Sequence, residues 1–389
     1  MVTGCVNRLC ALFVSFLLAN ATAADPVRAR NLGIPFDGTP GALNAITDVE
    51  GLTVGHVTII KDLPDDRAVR TGVTAILPRG RATIDQPVFA GWFTLNGNGE
   101  MTGTTWVEES GFLETPVMIT NTHSVGTVHQ ATIEWRVNQA GPDASGYFWS
   151  LPVVAETWDG DLNDVNGFHV KAEHVYAALE SASGGPVPEG SVGGGTGMIC
   201  FDFKCGIGTS SRVATTKEGV FTIGVLVQAN AGSRDTLRVA GVPVGKHLRQ
   251  GLVSRRGSPA ASRTSSIIIV VATDAPLLPH QLKRISKRTA LGLARDGGIG
   301  GDGSGDIFIA FSTTNAAAAQ VGSGITVKMF ANDNMDPLFL ATVEATEEAI
   351  INALVAGRDM TGDRGHSVKG IDHDELVKVL REYNRYVGE

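Results

Sequence analysis

The chain has 389 residues and a net charge of −8, with 43% hydrophobic and 19% charged residues. This balance is typical of a soluble protein with a large core, and it excludes the basic surface that nucleic acids or anionic membranes require. The length allows two or three average domains or one large α/β unit.

Residues 1–23 have the three parts of a secretory signal peptide. Arg8 provides a positive charge, Leu9 to Ala19 form a short apolar run, and Ala21-Thr22-Ala23 offers a cleavage site with small residues. The apolar run is too short to span a bilayer as a mature helix, although a retained membrane anchor is the alternative. We expect a mature protein that begins at Ala24, is periplasmic or secreted, and does not associate with the membrane after processing.

The rest of the chain alternates β-prone runs with helical patterns. Strands are predicted at 52–60, 71–78, 116–121, 151–156, 199–204, 219–229, 266–273, 306–312 and 321–330, with a strand and loop across 86–105. Helices are predicted at 124–138, 171–183, 278–295, 336–356 and 372–385. Loops are predicted at 184–197, 206–212, 250–265 and 297–305, of which 250–265 has the composition of an exposed linker open to cleavage. Two strand-rich portions flanked by helices favour stacked sheets covered on both sides.

Two of the four cysteines would remain after signal removal. Cys200 and Cys205 would point to opposite faces of a single strand, so a disulfide between them needs an intervening turn and is left open. Their spacing fits no familiar zinc pattern, and the nine histidines form no dense ligand set. The sequence therefore predicts no metal site and no cofactor.

The most informative junction lies where the polar linker ends at Ser266. This residue opens the run Ser-Ile-Ile-Ile-Val-Val-Ala-Thr, a strongly β-prone segment. A hydroxyl residue at the start of a strand, behind an exposed loop, is where a self-cleaving hydrolase carries its nucleophile. Cleavage between Ser265 and Ser266 would release an α-amine with an unperturbed pKa of about 7.7–8.0, which can accept a proton near neutral pH. An ordinary turn residue is the alternative.

A glycine-rich loop, Gly297-Gly-Ile-Gly-Gly-Asp-Gly-Ser-Gly-Asp306, precedes another predicted strand. One copy of a calcium nonapeptide cannot form a stacked β-roll, and no Gly-Lys-Ser/Thr follows as in a P-loop. The α/β-hydrolase elbow also fails, because Asp302 stands where that motif needs glycine. What remains is a loop that presents Ser304 and Asp306, whose carboxylate can polarise the hydroxyl. A tight turn with a solvated aspartate is the alternative.

Two further polar residues end apolar strands. Glu156 closes Pro152-Val-Val-Ala-Glu, where a buried carboxylate needs a partner such as a substrate ammonium group or a structural arginine. Asn230 closes Gly224-Val-Leu-Val-Gln-Ala-Asn, and its amide could donate to an oxyanion or cap a turn.

Together these features resemble the self-processing serine aminopeptidases, the family of the L-aminopeptidase/D-amidase-esterases and β-peptidyl aminopeptidases. The resemblance covers nearly the whole mature chain. Its motifs, in order, are Arg28-Ala-Arg-Asn-Leu-Gly-Ile-Pro-Phe-Asp-Gly-Thr-Pro-Gly, Thr120-Asn-Thr-His-Ser-Val-Gly, Pro152-Val-Val-Ala-Glu-Thr, Gly193-Gly-Gly-Thr-Gly-Met, Gly206-Ile-Gly-Thr-Ser-Ser-Arg, Val227-Gln-Ala-Asn and Ser266-Ile-Ile-Ile-Val-Val-Ala-Thr-Asp-Ala-Pro-Leu.

The resemblance implies a four-layer αββα sandwich, similar to N-terminal-nucleophile hydrolases but with its own connectivity. It implies self-cleavage into an α chain of 24–265 and a β chain of 266–389, which form one catalytic domain. The family's nucleophile falls on Ser266, and its supporting hydroxyl and carboxylate fall on Ser304 and Asp306.

The resemblance also assigns the substrate contacts. Glu156 holds the free amine of the substrate, and Asn230 contacts the oxyanion. Trp158 stands where some members carry a tyrosine near the oxyanion; an indole N–H can donate but cannot accept or ionise. Cys205 stands where glycine is expected. The implied activity removes the N-terminal residue from short peptides, amides and esters through an acyl-enzyme, in a homo-oligomer of αβ units.

Three alternatives remain at this stage. An acyltransferase of the ornithine-acetyltransferase kind and an amidase of nylon-type oligomers share a similar fold and self-cleavage. Both usually carry threonine at the position of Ser266, which speaks against them. An exported binding protein that has lost activity is the alternative outside the enzymes.

Overall fold

The structure is a computed structural model that describes residues 27–82, 84–140, 149–249, 251, 266–320 and 324–388. The predicted signal peptide and the linker that contains Ser265 lie outside these residues, so both stay predictions. The same is true of the division into an α and a β chain.

The described residues form strands and helices in the following order. The strands are β1 (Thr53–Asp62), β2 (Ala68–Leu77), β3 (Val88–Gly97), β4 (Phe112–Leu113), β5 (Val117–Asn121), β6 (Val153–Thr157), β7 (Ile199–Cys200), β8 (Phe203–Lys204), β9 (Ile207–Thr216), β10 (Gly219–Asn230), β11 (Ser266–Thr273), β12 (Gly305–Ser312), β13 (Met360–Thr361) and β14 (Ser367–Val368). The helices are α1 (Thr104–Ser110), α2 (Val125–Ala140), α3 (Ala172–Glu180), α4 (Pro279–Arg295), α5 (Asp336–Val355) and α6 (His373–Glu382).

Two mixed sheets form the centre of the molecule. The smaller sheet has the order β1-β2-β5-β6, and the larger sheet has the order β4-β3-β12-β11-β10-β9. The pairs β5–β6 and β11–β12 are parallel, whereas the other pairs in these two sheets are antiparallel. Parallel neighbours need a crossover connection, and α2 and α4 occupy these two connections.

Three apolar layers hold the sheets and helices together. Side chains such as Ile119 and Ile268 fill the space between the two sheets. Leu282 of α4 and Leu354 of α5 pack on the outer face of the larger sheet, and Val128 of α2 packs on the outer face of the smaller one. Burying each such side chain contributes about 1.5–3 kcal/mol. The layer order is helix, sheet, sheet, helix, which confirms the predicted four-layer αββα sandwich.

The predicted loop at 206–212 is wrong, because residues 207–212 lie in the buried strand β9. Its hydroxyl-rich sequence indicated a turn, yet neighbouring elements satisfy the hydroxyls. Thr209 Oγ1 donates to Val225 O at 2.7 Å, and Ser210 Oγ donates to Ala345 O. A polar run can therefore form a central strand when its side chains find backbone acceptors.

The predicted strand at 321–330 is also wrong over the described residues 324–330, which contain no strand. The side-chain amide of Asn315 pairs with the backbone of Lys328, donating to its carbonyl at 3.0 Å and accepting from its N–H at 2.8 Å. These bonds replace the strand partner that the β-prone residues suggested.

The short helix α1 was not predicted from the sequence. It is flanked at both ends by glycines in the left-handed conformation.

The segment that contains the two cysteines is a hairpin rather than one strand. Phe201 and Asp202 both have positive φ angles, of 50° and 59°, and form its two-residue turn. The prediction of opposite faces of a single strand is therefore wrong. Cys200 and Cys205 are buried as thiols, and no disulfide joins them.

Candidate active site

Ser266 is the first residue of β11, in the middle of the larger sheet. It pairs with Asn230 of β10 on one side and with Gly305 of β12 on the other. Its Oγ accepts a hydrogen bond from the Gly305 N–H at 3.2 Å, and the residue is 7% exposed. A hydroxyl with a fixed position and a small opening to solvent is suited to a nucleophile.

Asn230 is oriented by the hairpin beside it. Its Oδ1 accepts from the backbone N–H of Ile199 at 3.1 Å, which fixes the orientation of the side-chain amide. With the oxygen held in this way, the amide presents its NH2 group as the remaining donor, next to the strand position of Ser266. A preorganised donor near a nucleophile is the arrangement that stabilises a developing oxyanion.

Ser304 and Asp306 lie on the other side of Ser266. Ser304 is completely buried, and its Oγ makes no hydrogen bond of ordinary geometry with any described residue. Burial raises the pKa of Asp306 to about 6, and the nearby Ser304 hydroxyl and Ile267 N–H moderate this rise. The structure thus places a buried hydroxyl and an ionisable carboxyl on the two residues that flank Gly305, the strand partner of Ser266.

Two asparagines fasten the glycine-rich loop that carries these groups. Asn98 donates from its side chain to Gly303 O at 2.9 Å and from its backbone N–H to Ser304 O at 3.0 Å. Asn96 donates from its side chain to Gly300 O at 3.1 Å. Neither asparagine was identified from the sequence, because a loop contact across a sheet leaves no local pattern.

Glu156 reaches the site from the smaller sheet. Its Oε1 accepts from the Glu100 N–H at 3.0 Å, and its Oε2 accepts from the Thr122 hydroxyl. Burial raises the pKa of this carboxyl, while these two donors lower it. No arginine pairs with Glu156 among the described residues, so the carboxylate retains the capacity to bind a cation.

Two glycines allow the two sheets to approach each other at this point. A Cβ placed on Gly99 would lie 3.1 Å from Gly305 Cα and 3.3 Å from Glu156 Oε1. A Cβ on Gly305 would lie 2.5 Å from Asn98 O. Glu156 and the Ser266–Gly305 pair are thus separated by little more than the backbone of Gly99. This link between the predicted substrate carboxylate and the predicted nucleophile was not visible in the sequence.

Trp158 follows Glu156 at the end of β6. Its ring packs edge-on against His123, with 5.6 Å between the ring centroids. His123 in turn follows Thr122, the hydroxyl donor to Glu156. The structure therefore places Trp158 beside the carboxylate that is predicted to bind the substrate amine.

A second buried acidic residue, Asp159, is close enough to Glu156 to feel its charge and was not identified from the sequence. Its Oδ1 accepts from Asn163 Nδ2 at 3.1 Å, and its Oδ2 is buried. Burial, with a smaller contribution from the neighbouring Glu156, raises the pKa of Asp159 to about 7, although the hydroxyl of Thr71 opposes this. This carboxyl remains protonated over much of the acidic range.

We expect Asp159→Asn to remove part of the pH dependence of stability. The folded protein keeps the Asp159 proton up to a pH of about 7, whereas the unfolded chain releases it near the ordinary aspartate pKa of 3.8. The free energy of unfolding should therefore fall as pH rises between these values. We expect urea titrations at pH 4.5 and pH 7.5 to measure this change. The free energy of unfolding of the variant, relative to that of the wild type, should be about 1–3 kcal/mol higher at pH 7.5 than at pH 4.5. Parallel pH curves for the two proteins would contradict this account.

The described residues contain no group of three or more His, Cys, Asp or Glu side chains that could hold a metal ion. No helix within them is long and apolar enough to cross a bilayer.

Comparison with known proteins identifies the family. The model of peptidase family S58 matches residues 44–368. The chain belongs to peptidase family S58. This confirms the resemblance inferred from the sequence, and the S58 chain is a serine aminopeptidase or amidase.

Relatives of this S58 chain align along almost its whole length. A β-peptidyl aminopeptidase named BapA from Sphingosinicella microcystinivorans is 51% identical, with 96% of this chain and 97% of the relative aligned. A BapA from Sphingosinicella xenopeptidilytica is 46% identical, with 97% and 96% aligned.

Solved structures of similar proteins share the fold. The L-aminopeptidase D-Ala-esterase/amidase of Ochrobactrum anthropi, described as a variant of the Ntn-hydrolase fold, has a TM-score of 0.86 at 49% identity, over 92% of this chain and 99% of its own. A β-aminopeptidase from a Burkholderia species has a TM-score of 0.83 at 50% identity, over 93% and 99%. These matches confirm the predicted fold class.

Proposed function

We propose that this S58 enzyme cleaves its own backbone before Ser266 and then uses Ser266 as an N-terminal nucleophile. The observation that carries the proposal is the convergence of four kinds of group at the start of β11. Ser266 pairs with Asn230 on one side and with Gly305, which lies between Ser304 and Asp306, on the other, and the Glu156 carboxylate lies across Gly99. The residues proposed as nucleophile, oxyanion donor, acid–base pair and cation site thus come from neighbouring positions of the two sheets.

The proposed reaction removes one N-terminal residue. The Ser266 oxygen attacks the carbonyl carbon of the N-terminal aminoacyl group, and the free α-amine of Ser266 or the Ser304–Asp306 pair accepts the hydroxyl proton. The NH2 group of Asn230 and backbone N–H groups stabilise the oxyanion, and each donor of this kind contributes about 3–4 kcal/mol. The leaving amine or alcohol takes up a proton and departs. Water then attacks the acyl-enzyme and releases the amino acid.

Glu156 explains why the proposed activity is confined to the N-terminal residue of a substrate. A carboxylate that is buried and lacks an arginine partner binds an ammonium group well, whereas an amide nitrogen in the middle of a peptide carries no charge. The names of the relatives indicate β-amino-acid peptides as well as amides and esters of amino acids. We therefore propose amides, esters and short peptides with a free N-terminal β- or α-amino acid as the substrates.

The location and assembly of the protein are part of the same proposal. The features of residues 1–23 support export to the periplasm or the medium. We further propose that the αβ units form a homotetramer, as the family resemblance implies.

The experiment that tests the function compares a free amine with a blocked one. Purified protein is incubated with β-alanyl-p-nitroanilide and with its N-acetylated form. We expect turnover of the first substrate only. Glu156→Gln, which keeps the side-chain shape, should lower kcat/KM for the free amine by about 10²–10³-fold because a buried partner of the ammonium is lost.

Glu189→Gln is the matched control, because Glu189 is another buried carboxylate but pairs with Arg28 away from the site. It should leave the preference for a free amine unchanged. Equal turnover of the free and acetylated substrates by the wild type would refute the aminopeptidase proposal.

A further inference from the structure

Three aromatic rings form a wall next to Glu156. His123 lies in the middle, with Trp158 edge-on against it at 5.6 Å and Phe168 stacked on it at 6.2 Å between centroids. The rings come from three separate segments of the chain. His123 follows β5, Trp158 follows β6, and Phe168 directly follows the 3-10 turn Val165–Gly167. We call these three residues the aromatic wall.

The aromatic wall is open rather than part of the core. Phe168 is 55% exposed, and His123 is also exposed, while Trp158 is half-buried. Phe168 has a φ of 51°, in the left-handed region that a bulky residue rarely adopts. A large apolar ring that is held in an uncommon backbone conformation and left accessible favours a binding role, because packing in the core does not account for it.

The position of the aromatic wall relative to Glu156 indicates what it contacts. Thr122 donates its hydroxyl to Glu156, and the next residue along the chain is His123. In an α-amino acid, and in a β-amino acid substituted next to its nitrogen, the side chain is attached to the carbon that bears the amine. An ammonium group bound at Glu156 therefore brings that side chain close to the ring that follows Thr122.

We propose that the aromatic wall binds the side chain of the substrate's N-terminal residue and selects aromatic and large apolar residues over small ones. This inference rests on the proposed aminopeptidase function and adds the class of N-terminal residue that the site prefers. Trp158 supplies the partly buried base of this subsite, and Phe168 supplies its exposed side.

The test measures selectivity in the processed, full-length enzyme. Values of kcat/KM are determined for β-alanyl-p-nitroanilide and for the p-nitroanilide of β-homophenylalanine, which differ only in the side chain. The wild type should prefer the aromatic substrate. Phe168→Ala should reduce that preference roughly three- to tenfold, with little change for the β-alanyl substrate. Phe168→Tyr keeps the ring and should retain the preference.

Leu291→Ala is the control, because Leu291 is also an exposed apolar side chain but lies on the outer helix α4. An unchanged selectivity ratio in Phe168→Ala would overturn the proposal. So would a change in oligomeric state on size-exclusion chromatography, which would show that another subunit covers the ring. Either result would leave turnover of the β-alanyl substrate intact, whereas failure of the aminopeptidase proposal would remove turnover of both substrates.

Discussion

Replacement of Ser266 by alanine is expected to give a single uncut chain without aminopeptidase activity. The hydroxyl is the proposed nucleophile for both the backbone cleavage and the acyl transfer, so its removal should stop both steps. On a denaturing gel the wild type should give two bands, and N-terminal sequencing should return Ser-Ile-Ile-Ile for the smaller one. The variant should give one band.

Ser312→Ala is the matched control for this experiment. Ser312 is also a buried serine, at the opposite end of β12, and its Oγ donates to Ala275 O at 2.6 Å. This variant should lose some stability but remain processed and active. A second N-terminus that begins Ala-Ile-Ile-Ile in Ser266→Ala would refute the role of Ser266 in cleavage.

Asn230→Asp should lower kcat by about 10²–10³-fold with a smaller effect on KM. The aspartate can still accept from the Ile199 N–H, so the local structure is kept. It can no longer donate to the oxyanion, and its negative charge opposes the charge that develops there. Steady-state kinetics on the processed enzyme, with the cut fraction determined on a gel, would measure the effect.

Asn352→Asp separates this effect from a general loss of stability. Asn352 is equally buried, but its amide donates to Thr209 O on the helix side of the larger sheet. This variant should unfold at a lower temperature yet keep kcat near that of the wild type. A kcat for Asn230→Asp within a factor of three of the wild type would show that its amide does not stabilise the transition state.

The strand that carries Ser266 could be predicted from the sequence because its signal is local. The run of isoleucine and valine after Ser266 is strongly β-prone, and β11 begins and ends where it was predicted. The strand β9 could not be predicted, because its hydroxyls resemble a loop until their acceptors on neighbouring elements are known. The residue types of one segment do not show which distant backbone carbonyls will accept its hydrogen bonds.

The sequence identified several residues of the candidate site, but it did not predict how they are arranged. Ser304 and Asp306 are close in sequence, so their proximity could be expected from spacing. The approach of Glu156 to Ser266 depends on the packing of one sheet against the other across Gly99, and no sequence spacing encodes it. The roles of these residues in catalysis stay predictions until the variants are made.

The placement of β11 and β12 has a consequence for the mature enzyme. Both strands belong to the proposed β chain, and they are held between β3 and β10, which belong to the proposed α chain. After the cut, the two polypeptides remain interleaved through shared ladders of backbone hydrogen bonds. They can separate only when the whole sheet melts, and recovery would then require two independent molecules to meet. Heat inactivation of the mature enzyme should therefore be irreversible on dilution, whereas the uncut precursor should renature as a single molecule.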